Sequence, residues 1–508
     1  MIIMGPLEKI AGKLPGIAEP KTYLSFKSRL KWTALVLLLF LILGQITLYG
    51  IAPASRERFQ FFELILGSSI GSLVTLGIGP IVTASIILQL LSGSGLLGWD
   101  LKTPEGRKKF QGVQKLMAIF FCIFESFAFV AFGAIQTTDA GGTIFALLIF
   151  QLAFGAFLLL LMDEIVSKWG IGSGVSLFIA AGVAKTIFVR AFNPIEAPGT
   201  SVPAGLIPQF LVYIGQGDLF QAAVAMLPII ATIIVFMVVV YVQALKVEIP
   251  LAFGSIRGFS RRWPLKLLYT SNIPVILVAA LIANVQLVGT MLAKPTDVGR
   301  CGLLGCFDEN GFASSGFVYF LQAPTSLPVQ VFFLLFMALV TSAALILYYF
   351  RVKNLTRLVL LTCVIGFAVS LPLTNFFVGL PTATDTLRVI TYLLVLVGGA
   401  TVFSIFWVST SGMDAKSVAE QIEGMGMQVP GFRRDPRIVE QVLERYIPTL
   451  AIISGLAIGT LAALGDFTSA LGTGTGILLT VMIIYNFYEQ ISARYMEDMH
   501  PAMRKFFE

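Results

Sequence analysis

The chain has 508 residues, 56% hydrophobic and only 12% charged, with a mean hydropathy of +0.87. Soluble domains carry roughly 25% charged residues, so this composition excludes a water-soluble globular protein and describes a polytopic membrane protein. The formal charge of +7 comes from 35 Lys and Arg against 28 Asp and Glu; its meaning depends on where the basic residues lie.

Residues 1–31 are polar and basic, with no cleavable signal peptide ahead of the first apolar run. A spanning helix needs about 20 apolar residues. Such runs occur near 32–51, 72–92, 113–136, 143–162, 171–192, 221–245, 268–292, 329–350, 355–377, 387–409, 447–465 and 472–489, which predicts twelve spans. Segment 59–70, "FQFFELILGSSI", is apolar but too short to cross, and predicts a re-entrant or half-buried helix.

The second run, "TLGIGPIVTASIILQLL", opens on Gly77, Ile78, Gly79 and Pro80. Such residues are tolerated at membrane depth where neighbouring helices or a water-filled cavity satisfy the loosened backbone. Two further runs open on glycine breaks, at 170–174 and 472–476. With the N-terminus in the cytoplasm, the inner segments (1–31, 92–115, Lys168, 246–266, 351–357, 416–445 and 494–505) hold 28 of the 35 basic residues. That bias places both termini inside. The positive charge is therefore a property of the cytoplasmic face, suited to anionic headgroups or RNA. Two inner loops are long, 246–266 and 409–445. They read either as topology anchors or as docking sites for a polyanion, whose phosphates suit the arginine fork.

Chemistry is sparse. No GxxxxGK[ST] phosphate loop occurs, and "GTGTG" at 472–476 opens a membrane helix without a lysine. With one histidine, His500, neither an HExxH site nor a metal centre is expected. The chain is therefore not expected to be an enzyme, and no cofactor is implied. Cys122 and Cys363 sit within apolar runs; Cys301 and Cys306 share an outer loop, as a small disulfide or as two free thiols. Ion-coupled transport is the competing class. Its acidic candidates are poor: Asp163 and Glu164 sit at a helix end beside Lys168, and Glu489 lies near the C-terminal tail. Only Glu125 lies well within a run. It could couple protons or simply hydrogen-bond a neighbouring helix.

Four motifs in order resemble the archaeal form of the SecY family, the large subunit of protein-conducting channels. They are "LGIGPIVTASIILQLL", "DEIVSKWGIGSGVSLFIAAGV", "VEIPLAFG" followed by "PLKLLYTSNIPVIL", and "ALGTGTGILLT" with "YNFYEQ". The resemblance covers about 22–325 and 385–505. It implies an all-α membrane fold of ten helices in two inverted halves, helices 1–5 and 6–10. Residues 329–377 would then be an inserted two-helix hairpin, bringing the total to about twelve. The chain divides on this reading into tail 1–31, an N-terminal half 32–245, a cytoplasmic loop 246–267, a C-terminal half 268–489 and tail 490–508.

The resemblance also implies roles. A ring of apolar side chains, Ile78, Val82, Val175, Ile179, Ile276 and Leu479, would close the waist. Ile78 and Val82 are four apart, as are Val175 and Ile179, so each pair shares one helix face. A plug would comprise Phe61, Phe62, Glu63, Leu64, Ile65, Leu66, Gly67, Ser68 and Ser69. A lateral gate would open between the helices at 72–92 and 113–136 and those at 268–292 and 387–409, with Thr83, Glu125 and Asn284 as its polar cluster. Arg257, Arg261, Arg262, Arg433 and Arg434 would contact ribosomal RNA. The implied partners are SecE-like and Sec-beta-like small subunits, the ribosome, nascent polypeptides and signal sequences, the signal recognition particle pathway and the bilayer of the cell membrane.

Overall fold

The computed structural model describes residues 16–22, 24–51, 71–93, 104–131, 135, 142–196, 202–253, 260–270, 273–296, 299–308, 313–349, 355–424, 427–428 and 436–498. In chain order the elements begin with α1 (Phe26–Leu43), α2 (Gly79–Gly93), α3 (Pro104–Ala131), α4 (Gly142–Trp169), α5 (Gly174–Phe192), α6 (Leu206–Gln216) and α7 (Leu219–Ala244). Strands β1 (Lys246–Phe253) and β2 (Ser260–Lys266), α8 (Ile273–Leu292), and β3 (Lys294–Thr296), β4 (Gly299–Gly302), β5 (Gly305–Phe307) and β6 (Ala313–Ser315) follow. The remainder is α9 (Phe317–Phe320), α10 (Leu327–Tyr349), α11 (Leu355–Phe377), α12 (Ala383–Thr410), α13 (Ala415–Gly424), β7 (Met427–Gln428), α14 (Pro436–Phe467) and α15 (Gly474–Asp498).

A helix stands over each of the twelve expected spans. Among the described residues, eight helices are long and apolar enough to cross a membrane by length and composition. The others have visible reasons to fall short. Helix α1 opens with Lys27, Arg29 and Lys31, and α2 has 15 residues because the chain before it is folded into turns. Large aromatic side chains such as Phe120, Phe124, Phe150 and Phe154 are exposed along α3 and α4, as a surface facing acyl chains allows.

The helices group into two compact units. The first comprises residues 1–183, 283–314 and 483–508. Its core packs Leu48, Leu76, Cys122, Leu148, Leu152 and Ala156, and Phe40 of α1 stacks on Phe178 of α5 at 4.9 Å. Cys301 and Cys306 face each other across the β4–β5 hairpin and form a disulfide. This resolves the open choice between bridge and free thiols.

The second unit comprises residues 184–282 and 315–482. It includes α7, whereas the expected N-terminal half ran to residue 245. Helix α7 packs against α10 and α14, and its Thr232 hydroxyl oxygen accepts the Leu471 N–H at 2.8 Å. Helices α12 and α14 pack closely, because glycines let their backbones meet. A Cβ on Gly455 would lie 2.6 Å from Thr401 Cα, and one on Gly459 would lie 2.8 Å from Val397 Cα. Helices α10 and α11 pack on each other, with Phe332 edge-on to Phe367 at 5.3 Å. Phe333 of α10 then rests on Phe467 of α14 at 4.7 Å.

Within the long loop 246–266, β1 and β2 pair antiparallel, with Lys246 opposite Lys266 and Ala252 opposite Ser260. Strand β7, from the second long loop, pairs with the far end of β1 through Ala252–Gln428 and Phe253–Met427. The two basic loops are thus joined in one sheet.

Candidate functional site

Each glycine break has a defined geometry. In the first, residues 71–78 form successive turns: Gly77 N–H donates to Val74 O (2.9 Å), Gly79 N–H to Leu76 O (3.1 Å) and Val82 N–H to Ile78 O (3.0 Å). Gly77 adopts φ +54°, a left-handed conformation that costs glycine little. Pro80 falls in the first turn of α2, where its missing N–H has no helical acceptor to lose. The turns are anchored on both sides. Leu48 N–H donates to Gly71 O, and Leu73 N–H to Ile46 O, both at 2.8 Å. On the other side Leu73 lies so close to α4 that only Gly155 fits beneath it: a Cβ there would lie 1.8 Å from the Leu73 carbonyl oxygen.

The second break, between α4 and α5, is closed by a carboxylate. Asp163 Oδ1 accepts the Val175 N–H at 2.9 Å, satisfying one of the donors every helix start leaves open. Helix α1 supports the turn: Thr33 Oγ1 accepts the Ile171 N–H at 3.0 Å, and Arg29 Nη1 donates to Gly170 O at 3.5 Å. The third break, between α14 and α15, repeats the device. Asp466 Oδ1 accepts Gly474 N–H at 2.8 Å and Thr475 N–H at 3.4 Å, while Tyr392 donates to Asp466 Oδ2 at 2.7 Å.

These bonds decide which acids could serve ion coupling. Asp163 is committed to its helix cap. Glu164 is held by two lysines, Lys115 Nζ at 2.7 Å and Lys168 Nζ at 2.8 Å. Glu125 hydrogen-bonds Thr83, joining α3 to α2. Asn284 is an exposed residue of α8 and, among the described contacts, takes no part in that bond. Two members of the expected gate cluster are thus joined, and no described contact links Asn284 to them. Among the described residues no group of His, Cys, Asp and Glu could hold a metal ion.

Of the expected ring, Ile78, Val82, Val175 and Ile179 belong to the first unit, and Ile276 and Leu479 to the second. Ile78, Ile179 and Leu479 are buried, while Val82 and Ile276 are half-buried. Val175 is half-buried and packs against the cluster of Ile81, Ala84, Ala118 and Leu160.

The SecY family profile matches residues 72–488, and the profile for the plug domain of Sec61p matches residues 38–71. The protein translocase subunits SecY of Pyrococcus furiosus and of Methanocaldococcus jannaschii are each 40% identical to this chain. The alignment covers 97% of this chain and 97% of the former, and 99% of this chain and 99% of the latter. The chain belongs to the SecY family. Its fold agrees with solved SecY-type structures. One described as a protein-conducting channel has a TM-score of 0.75 at 40% identity, over 97% of this chain and 98% of that one. Sec61 in a canine ribosome–channel complex has a TM-score of 0.72 at 39% identity, again over 97% and 98%.

Within this SecY-family chain, residues 61–69 and Arg257, Arg433 and Arg434 lie outside the described residues. Arg261 and Arg262 are on β2, opposite Leu251 and Pro250. The residues that sequence reasoning missed are Asp466 and Tyr392. The available signal was positional: an aspartate shortly precedes a glycine-rich helix start twice, Asp163 before Gly174 and Asp466 before Gly474.

Proposed function

We propose that this chain is the central subunit of a protein translocation channel. It passes unfolded secretory polypeptides across the cell membrane and releases hydrophobic segments sideways into the bilayer while the ribosome translates. The observation that carries the reading is the full-length relationship to translocase subunits, together with membrane helices that begin at glycine breaks and bear apolar branched side chains. Such side chains, gathered at a narrow waist, dewet it and oppose ions through desolvation. They also grip no passing side chain strongly, so chains of any sequence can slide. The segment at 61–69 is assigned as the plug, and Thr83, Glu125 and Asn284 as gate residues. Interhelical hydrogen bonds in membranes average about 0.6 kcal/mol, and each leucine partitioning into lipid gains about 0.3 to 0.6 kcal/mol. A few leucines therefore suffice to open such a gate.

Energy comes from the translating ribosome on this reading, with SecE-like and Sec-beta-like subunits bracing the chain. Arg257, Arg261, Arg262, Arg433 and Arg434 contact ribosomal RNA. Union of the two basic loops through β1 and β7 supports this, because one folded sheet presents both together. Reversing charge at Arg433 and Arg434 is expected to weaken ribosome co-sedimentation and to flatten its salt dependence by about two phosphate contacts. Equal binding by both proteins across salt would return these loops to topology anchors.

The α10–α11 pair is assigned as a transmembrane hairpin inserted into an outer loop. Its connection "RVKNLTR" carries Arg351, Lys353 and Arg357, and burying them at the bilayer centre would cost about 2.5–3.5 kcal/mol each. A cysteine at position 354 in place of Asn354 is expected to react with impermeant reagent from the cytoplasmic side only. Labelling from outside would overturn the hairpin topology.

A further inference from the structure

Asp466 is a buried carboxylate that the channel reading leaves without a task. It lies at the end of α14, 8% exposed, and both of its oxygens are engaged. One holds the first N–H groups of α15, and the other accepts the hydroxyl of Tyr392, a buried residue of α12. The Tyr392 ring meets Phe467 at 5.7 Å. No larger residue fits the joint, since a Cβ on Gly474 would lie 2.3 Å from Gly465 Cα. Among the described contacts, Asp163 at the corresponding break takes backbone N–H groups only.

The three helices that meet here have separate tasks on the channel reading. Helix α12 is a gate helix, and α15 carries the ring residue Leu479. Helix α14 joins them: Ser404 of α12 donates to Ala451 O, Thr270 bridges Ser404 and Ser454 at 3.0 and 2.8 Å, and Gly455 and Gly459 bring the backbones together. A body packed so closely moves as one piece. Its grip on α15 is a carboxylate facing the positive end of a helix in a low-dielectric setting, where charge-assisted bonds are strong.

We propose that Asp466 is the joint through which gate helix α12 positions pore helix α15, with Tyr392 holding the carboxylate in line. Displacement of α12 then carries the start of α15 with it and shifts Leu479 out of the seal. The inference rests on the channel reading and adds to it a mechanical link between lateral opening and pore opening.

The test measures resting ion leak of the full channel complex in planar bilayers. Tyr392→Phe keeps the ring on Phe467 and removes only the hydroxyl, whereas Asp466→Leu removes the joint. Each is expected to raise leak about tenfold, the change that loss of one charge-assisted hydrogen bond supports. Because both act through one chain of bonds, the double variant should leak no more than Asp466→Leu alone. Asp466→Asn keeps an acceptor for the α15 N–H groups but loses the charge and the acceptor for the Tyr392 hydroxyl, so it should leak about as much as Tyr392→Phe. Wild-type leak in Tyr392→Phe, additive effects in the double variant, or wild-type leak in Asp466→Asn would each overturn the joint. If Asp466→Leu does not accumulate, Tyr392→Phe and Asp466→Asn decide alone. A variant with Ile78, Val82, Ile179 and Leu479 replaced by glycine is the control. If it conducts and the joint variants do not, the joint alone is wrong; if it stays closed, the ring assignment falls and the joint with it.

Discussion

Replacing Ile78, Val82, Ile179 and Leu479 together by glycine or serine is expected to raise ion conductance in planar bilayers about tenfold or more, while polypeptide translocation persists. The four side chains are branched and apolar, and three of them are buried. Ions crossing such a constriction must shed water without replacement ligands. Glycine removes the branched surface and serine adds hydroxyls, so both lower that barrier. A drop of only about 1.4 kcal/mol changes a rate tenfold. Translocation should survive because the ring offers no specific contact to a passing chain. Val175, half-buried against Ile81, Ala84, Ala118 and Leu160, is left in place so that this helix packing stays intact. An unchanged conductance in the quadruple variant would remove the ring assignment.

Gly155→Ala is expected to destabilise the first unit by about 1–3 kcal/mol or more, the usual range for forced overpacking. The clash is with the Leu73 carbonyl oxygen at 1.8 Å, and a backbone atom cannot rotate aside as a side-chain end can. Relief requires the turns at 71–78 to shift, and with them Ile78 and the start of α2. Gly398 is the matched control. Nothing lies within 4 Å of a Cβ there, so Gly398→Ala should be neutral or gain up to about 1 kcal/mol of helix propensity. Thermal unfolding of purified protein in mild detergent separates the two. Equal melting of both variants would mean that the α4 contact does not hold the turns.

Hydropathy alone placed an apolar run over each of the eight described helices long and apolar enough to cross a membrane, because a bilayer demands about 20 apolar residues. The glycine breaks were equally visible, since few side chains accept the backbone at Gly77 or Gly172, where φ is +54° and +81°. Four ordered motifs were enough to recognise the family. Periodicity and composition could not supply the contacts between distant segments. The β1–β2–β7 sheet is assembled from two short, mixed stretches whose pairing depends on loops far apart in the chain. The Cys301–Cys306 bridge required a hairpin that places Cys301 opposite Cys306. Membership of α7 in the second unit followed from packing against α10 and α14. Above all, Asp163 and Asp466 look like ordinary helix-end acids in sequence. Only tertiary structure decides their partners, because a buried carboxylate must be satisfied by whichever donors folding brings within about 3 Å. For Asp466 those donors are the α15 backbone and a tyrosine 74 residues earlier.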